Sequence, residues 1–146
     1  MNSRVARSNI WGLLKLGVNV CVVAPPTMIP THLDKFGVKV YYNLKDAAKN
    51  SDVIMSLRLQ AEDSYGSRLA SFNEYKDYFK VTPEILDYAK PDCIIMHPGS
   101  PDRRVEIDSG IIDSDRCITD DQITNGVAIR MALLYLLSVG RRDMDE

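Results

Sequence analysis

The sequence predicts an α/β protein: an open parallel sheet of about four to five strands with helices on both faces. Three observations carry that prediction. Short, β-branched apolar runs recur at 18–24, 38–42, 53–57 and 93–96, the pattern of buried strands. Segments with helical spacing of apolar residues alternate with them, and glycine and proline punctuate the joins.

Taken in order, residues 3–16 read as a helix, because Val5, Asn9 and Leu13 are four apart, as are Ile10 and Leu14. Gly17 stops it at the position where a left-handed cap is favoured. The first strand follows at 18–24. Pro25, Pro26 and Pro30 then break the chain, and a short helix near 31–36 ends at Gly37. The second strand is 38–42, followed by a short helix at 44–49 and a third strand at 53–57. Residues 61–80 are charged, tyrosine-rich and weakly periodic, which predicts a long functional or mobile connection. Thr82 as N-cap, with Pro83 at the first helical position, starts a helix to about Ala89. The fourth strand, 93–96, ends at His97, Pro98 and Gly99. Cys117 and Ile118 offer a short fifth strand, and 123–139 is the last and strongest helix.

The chain divides into an α/β domain, 1–122, and a C-terminal helical segment, 123–146. Within the latter, 127–137 is apolar nearly all round, interrupted by Arg130. Such a helix is expected to be covered on more than one side, by another domain or another subunit.

With 146 residues, 45% hydrophobic and 26% charged, the composition is that of one globular domain. A formal charge of −2 supplies no global field for nucleic acid or an anionic membrane, so neither is an expected partner. No apolar run approaches the roughly 20 residues that span a bilayer. Cys21, Cys93 and Cys117 are scattered, without zinc spacing or a disulfide framework; buried thiols and a cytoplasmic setting are expected. Gly-rich phosphate loops and clustered metal ligands are absent from the sequence, and no cofactor or metal is expected.

Parallel sheets bind ligands beyond the carboxyl ends of their strands. Arg58 and Gln60 follow the third strand two apart, so both side chains point the same way in an extended segment. A guanidinium fork and an amide suit a carboxylate, although a solvated arginine at a sheet edge fits the same residues. Arg4 and Arg7 open the first helix, where a cation is unfavourable unless an anion compensates it; pairing with surface acids is the alternative. His97, at a strand end before Pro98 and Gly99, is expected to aim its ring and the loop backbone into the crevice. His32 has no assigned role.

Five segments then follow one another in order: SRVARSNIWGLLKL (3–16), APPTMIP (24–30), MSLRLQ (55–60), MHPG (96–99) and QITNGVAIRMALLYLL (122–137). Their order and spacing resemble the second half of bacterial aspartate carbamoyltransferase catalytic chains, along nearly the whole sequence. The resemblance implies transfer of a carbamoyl group from carbamoyl phosphate to the amine of L-aspartate, an early step of pyrimidine synthesis. It also implies a homo-oligomer, a trimer in the family. By resemblance Arg4, Arg58 and Gln60 grip the two aspartate carboxylates. His97 (as the catalytic residue), Pro98 and Gly99 form the loop that meets the amine and the carbamoyl group, and 61–80 is a mobile loop that closes the site.

Two departures stand out. The family loop reads His-Pro-Gly-Pro, an apolar residue, then Asn-Arg-Gly; here Ser100, Pro101, Asp102, Arg103 and Arg104 follow Gly99. Ser100 must either hold a non-proline cis bond, about 3 kcal/mol less favourable than trans, or let the loop relax. The Ser-Thr-Arg-Thr motif that binds carbamoyl phosphate in the family, and the lysine loop contributed by a neighbouring subunit, do not occur in this sequence. The expectation is an aspartate-binding half that needs a carbamoyl-phosphate domain for turnover. The alternative is a non-catalytic remnant or module that binds an acidic metabolite or a protein partner. Ornithine carbamoyltransferase fits less well, because its Ser-Met-Gly segment and His-Cys-Leu-Pro loop are absent.

Overall fold

The computed structural model describes residues 3–59 and 71–142. Helix α1 spans Arg4–Lys15; the Ser3 hydroxyl caps it by accepting from the Ala6 N–H at 3.2 Å. Its other end closes as a Schellman motif. Gly17 takes φ 76° and donates to the Leu14 carbonyl, while the Val18 N–H reaches back to Leu13. Strand β1 (Cys21–Val23) follows, then two 3-10 turns (Pro26–Met28 and Leu33–Phe36) and strand β2 (Lys39–Tyr41). β1 and β2 pair in parallel, with Val22 opposite Val40.

Helix α2 (Leu44–Ala48), capped by the Asn43 side chain, leads to strand β3 (Val53–Met55). Helices α3 (Phe72–Phe79) and α4 (Pro83–Leu86) precede strand β4 (Ile94–Met96), which pairs in parallel with β3. A one-turn helix, α5 (Ser109–Ile112), and the long helix α6 (Thr119–Arg142) complete the described chain.

The α/β class and parallel pairing are as the sequence predicts, but among the described residues the strands form two two-stranded sheets, not one of four to five strands. The fifth strand reduces to a single bridge between Cys117 and Ile95. The reason is physical: apolar runs report which side chains are buried, whereas a sheet requires continuous exchange of backbone hydrogen bonds between neighbours. Each strand here is three residues long, shorter than its apolar run.

Two apolar clusters hold the strand pairs. Ile10, Leu33 and Val38 fasten α1 to β1 and β2, with Leu14, Val20 and Val40 against them. Val81, Cys93, Ile95, Ile107 and Ile111 surround β4. Cys93, Ile95 and Ile107 are 0% exposed, and a fully buried isoleucine contributes about 1.5–3 kcal/mol. All three cysteines are free. Cys93 is buried as expected, but Cys21 is exposed at the start of β1.

α6 starts four residues before the expected helix, because its first turn is polar: Asp120 and Asp121 complement the helix dipole ahead of the apolar run. Beyond that turn it is bare, with Leu134 69% and Leu137 71% exposed. The stretch Thr119–Val139 has the length and mean hydropathy to cross a membrane, which corrects the expectation that no segment does. Charged residues break the run in sequence, yet do not lower its mean far enough. Core helices of globular proteins reach the same length and mean hydropathy.

Candidate functional site

The site is built where β3 and β4 end. Their parallel register sets Met55 beside Met96, and the Ser56 N–H continues the ladder by donating to the Met96 carbonyl at 3.0 Å. Both strands therefore end at the same edge, and the segment leaving one meets the segment leaving the other.

From β3 comes Arg58, exposed to solvent. From β4 comes the loop from His97 to Arg104. Arg58 and the loop residues Ser100, Pro101, Asp102, Arg103 and Arg104 line one open depression. Pro98 is exposed at the loop's start and Gly99 half-buried. Gly99 (φ 124°) and Ser100 (φ 45°) both lie at positive φ, a region where serine is strained and glycine is not. Among the described residues there is no cis peptide bond, so the loop takes the relaxed alternative at Ser100.

His97 differs from expectation. Its ring does not open into the crevice; it is 1% exposed. Its backbone N–H donates to Gln122 Oε1 at 3.2 Å, and Nδ1 accepts the Gly99 N–H at 3.2 Å. A ring that accepts at Nδ1 carries its hydrogen on Nε2. That nitrogen faces Glu106 Oε2 at 3.5 Å without forming a hydrogen bond. The ring thus braces the Pro98–Gly99 turn from inside, through the Gly99 N–H that Nδ1 accepts.

Glu106, 2% exposed, is the residue the sequence reasoning missed. Its Oε1 accepts the Leu59 N–H, and its Oε2 accepts the Asp102 N–H at 2.9 Å. One buried carboxylate thereby ties the segment carrying Arg58 to the loop carrying Ser100. The only signal in sequence was an acid between Val105 and Ile107, in a stretch otherwise bound for the core. Gln122, at the start of the 122–137 segment, roots α6 on the strand end.

On the rim of the depression, Arg103 forks onto Asp113 through bonds of 2.8 and 2.9 Å; beyond it, Lys80 reaches Asp108 at 3.2 Å. These fasten the loop and its approach to α5. The Asp113 carboxyl is held below the usual carboxylate range by the Arg103 hydrogen bonds; that of Asp108 is held low first by the Gly110 N–H and then by Lys80. Asp102 is also held low, chiefly by the Arg104 N–H, with desolvation opposing and the charges of Arg104 and Arg58 assisting.

Arg4 stands exposed on the first turn of α1 and does not line this depression. Arg7 instead borders an apolar hollow floored by Ile10 and Leu33. Gln60 lies outside the described residues, as does the 61–70 part of the expected closing loop; the rest of that stretch contains helix α3.

Residues 1–137 match the family model described as aspartate/ornithine carbamoyltransferase, Asp/Orn binding domain. The chain belongs to this carbamoyltransferase family. The aspartate carbamoyltransferase catalytic subunit of Caldanaerobacter subterraneus subsp. tengcongensis is 50% identical over 137 residues, covering 94% of this chain and 45% of that relative. That of Acetivibrio thermocellus is 49% identical over 145 residues, covering 99% and 46%. The chain spans about half the length of the curated relatives it matches. In fold it is similar to the anabolic ornithine carbamoyltransferase of Campylobacter jejuni subsp. jejuni, with a TM-score of 0.77 at 18% identity over 91% of this chain and 47% of that one. The ornithine carbamoyltransferase of Pyrococcus furiosus gives 0.73 at 24% identity, over 88% and 44%. This carbamoyltransferase domain therefore shares its fold with ornithine enzymes, while the relatives of high sequence identity carry the aspartate name.

Proposed function

We propose that this chain is the aspartate-binding half of an aspartate carbamoyltransferase catalytic subunit. The supporting observation is the juxtaposition of Arg58 with the His97–Arg104 loop at one strand edge, locked by Glu106. An arginine-lined depression suits a dicarboxylate and repels the ammonium side chain of ornithine.

In this proposal Arg58, with Gln60, holds the carboxylates of L-aspartate so that its amine faces the carbonyl carbon of carbamoyl phosphate; Arg4, which does not line the depression, joins them only if α1 closes on it. The amine attacks, a C–N bond forms, the C–O bond to phosphate breaks, and the amine's proton passes to the departing phosphate. The products are N-carbamoyl-L-aspartate and phosphate. Orientation and stabilisation of the oxyanion supply the rate, without a covalent intermediate. Pro98 and Gly99 present backbone to the reacting groups, and His97 acts by bracing that turn. Carbamoyl phosphate is held by a second domain that packs on 123–146 and covers the apolar face of α6. Assembly as a homo-oligomer, a cytoplasmic setting, and union of the two strand pairs into one sheet of four to five strands belong to the same proposal.

The test is complementation. Supplying a carbamoyl-phosphate domain in trans should give carbamoyl-aspartate, and Arg58→Ala should abolish it. Turnover by residues 1–146 alone would sink the need for a second half. A non-catalytic role is favoured by one observation, the strained Ser100 in place of the family proline. Complementation that fails while the chain still binds succinate through Arg58 would select that role.

A further inference from the structure

We infer that Asp102 is a built-in competitor for the carboxylate-binding arginine, and that Arg104 is the counter-charge that keeps it from winning. This rests on the assignment of Arg58 as a carboxylate ligand. The depression is lined by three arginines, Arg58, Arg103 and Arg104, and by one acid, Asp102. Arg103 is already engaged, since both of its terminal nitrogens are bound to Asp113. That leaves Arg58 and Arg104 as cations facing a single fixed carboxylate.

A carboxylate beside a carboxylate-binding arginine acts in two ways. It offers the guanidinium an internal partner, and it repels the incoming anion. Asp102 lines the same depression as Arg58, yet the two form no ion pair. Its carboxylate engages Arg104 instead. Oδ1 accepts the Arg104 N–H at 2.9 Å and lies 3.6 Å from Arg104 Nε. The Asp102 backbone is fixed as well, since its N–H is bound to Glu106. With the main chain pinned, only rotation of the side chain decides which arginine Asp102 serves.

Arg104 is otherwise unexplained. Its side chain is 91% exposed and makes no other ion pair among the described residues. At such exposure the pair contributes little to stability. Its effect is local: it neutralises a carboxylate that stands at the mouth of the depression. Asp102 and Arg104 are also two of the positions at which the loop departs from the pattern it resembles, so an acid and a base arrive together.

The test is calorimetric titration of the chain with succinate, a dicarboxylate without the reacting amine, at low and at high salt. Asp102→Asn keeps the Oδ1 acceptor and removes only the charge; it should tighten binding by about two- to fivefold at low salt, less at high salt. Arg104→Ala should weaken binding by a similar factor, about two- to fivefold, and should have almost no effect in the Asp102→Asn background. A purely structural role for either residue would not produce tightening or that coupling. Equal loss from Arg104→Ala in both backgrounds would overturn the inference, making Arg104 a direct ligand. Unchanged affinity in Asp102→Asn would overturn it too. If wild-type chain fails to bind succinate, or binds equally well as Arg58→Ala, the carboxylate-site assignment itself falls and takes this inference with it.

Discussion

The buried carboxylate of Glu106 stands 3.5 Å from His97 Nε2 while its two oxygens accept the backbone N–H groups of Leu59 and Asp102. Replacing it by alanine removes both acceptors and leaves two amides unsatisfied. Each such loss costs about 1–3 kcal/mol. Glu106→Ala is therefore expected to lower unfolding free energy by about 2–4 kcal/mol in a urea titration. Glu106→Gln, which retains one acceptor oxygen, should cost less. A loss below about 1 kcal/mol for the alanine variant would mean that the clasp does not hold.

Ser100 carries the second test. Its φ of 45° suits glycine and opposes proline, whose φ is locked near −65°. Ser100→Gly is expected to be neutral or to stabilise by up to about 1 kcal/mol, since strain relief is offset by the greater freedom of the unfolded chain. Ser100→Pro cannot keep this loop. It should either destabilise by more than about 1 kcal/mol or remodel the depression. Chemical shifts of Gly99 and Asp102 that match those of the wild type in the proline variant would contradict the loop described here.

The bare face of α6 predicts self-association. Leu134 and Leu137 are 69% and 71% exposed, so changing both to lysine removes no core contact. Light scattering should report oligomers for the wild type and a smaller species for the double variant, with the far-ultraviolet circular dichroism of the fold unchanged. A clean wild-type monomer would count against it.

Acid should loosen the loop. Asp102, Asp108 and Asp113 all titrate below the ordinary aspartate value of 3.8 in the folded chain. A depressed acid adds stability above its unfolded pKa, and that stability is lost as pH falls through the folded one. Stability contributed by these groups is thus complete at neutrality and declines only below about pH 4. Asp108→Asn with Asp113→Asn should flatten the acid limb of a plot of stability against pH. An unchanged limb would assign the acid sensitivity to other carboxylates.

Much of this was legible in local sequence. The runs around Ile54 and Ile95 mark β3 and β4, and the strand-end rule then brings Arg58 and His97 to one edge. Glu106 was not legible, because its partners are long-range: Leu59 lies 47 residues away, and nothing local says that a backbone amide there needs an acceptor. Helix α3 was legible and missed. Ser71 and Glu74 form the Ser-x-x-Glu start signal, and the Ser71 hydroxyl accepts the Glu74 N–H at 3.0 Å. Weak apolar periodicity hid it, although Tyr75 and Phe79 stack one turn apart at 5.3 Å. The exposure of Cys21 follows from strand alternation: Val20 and Val22 on either side of it pack on the cluster around Ile10, so Cys21 faces away.

The hydrogen bond from the His97 amide to Gln122 makes the end of β4 a fulcrum. α6 extends 24 residues, about 36 Å at about 1.5 Å per residue, and is rooted within one turn of that bond. A rod so mounted converts a small tilt at its base into a large sweep at its tip, and the converse holds when the tip is seized. A surface that clasped the leucines of α6 would pull on the strand end at His97 as well, and through it on the loop beside Arg58.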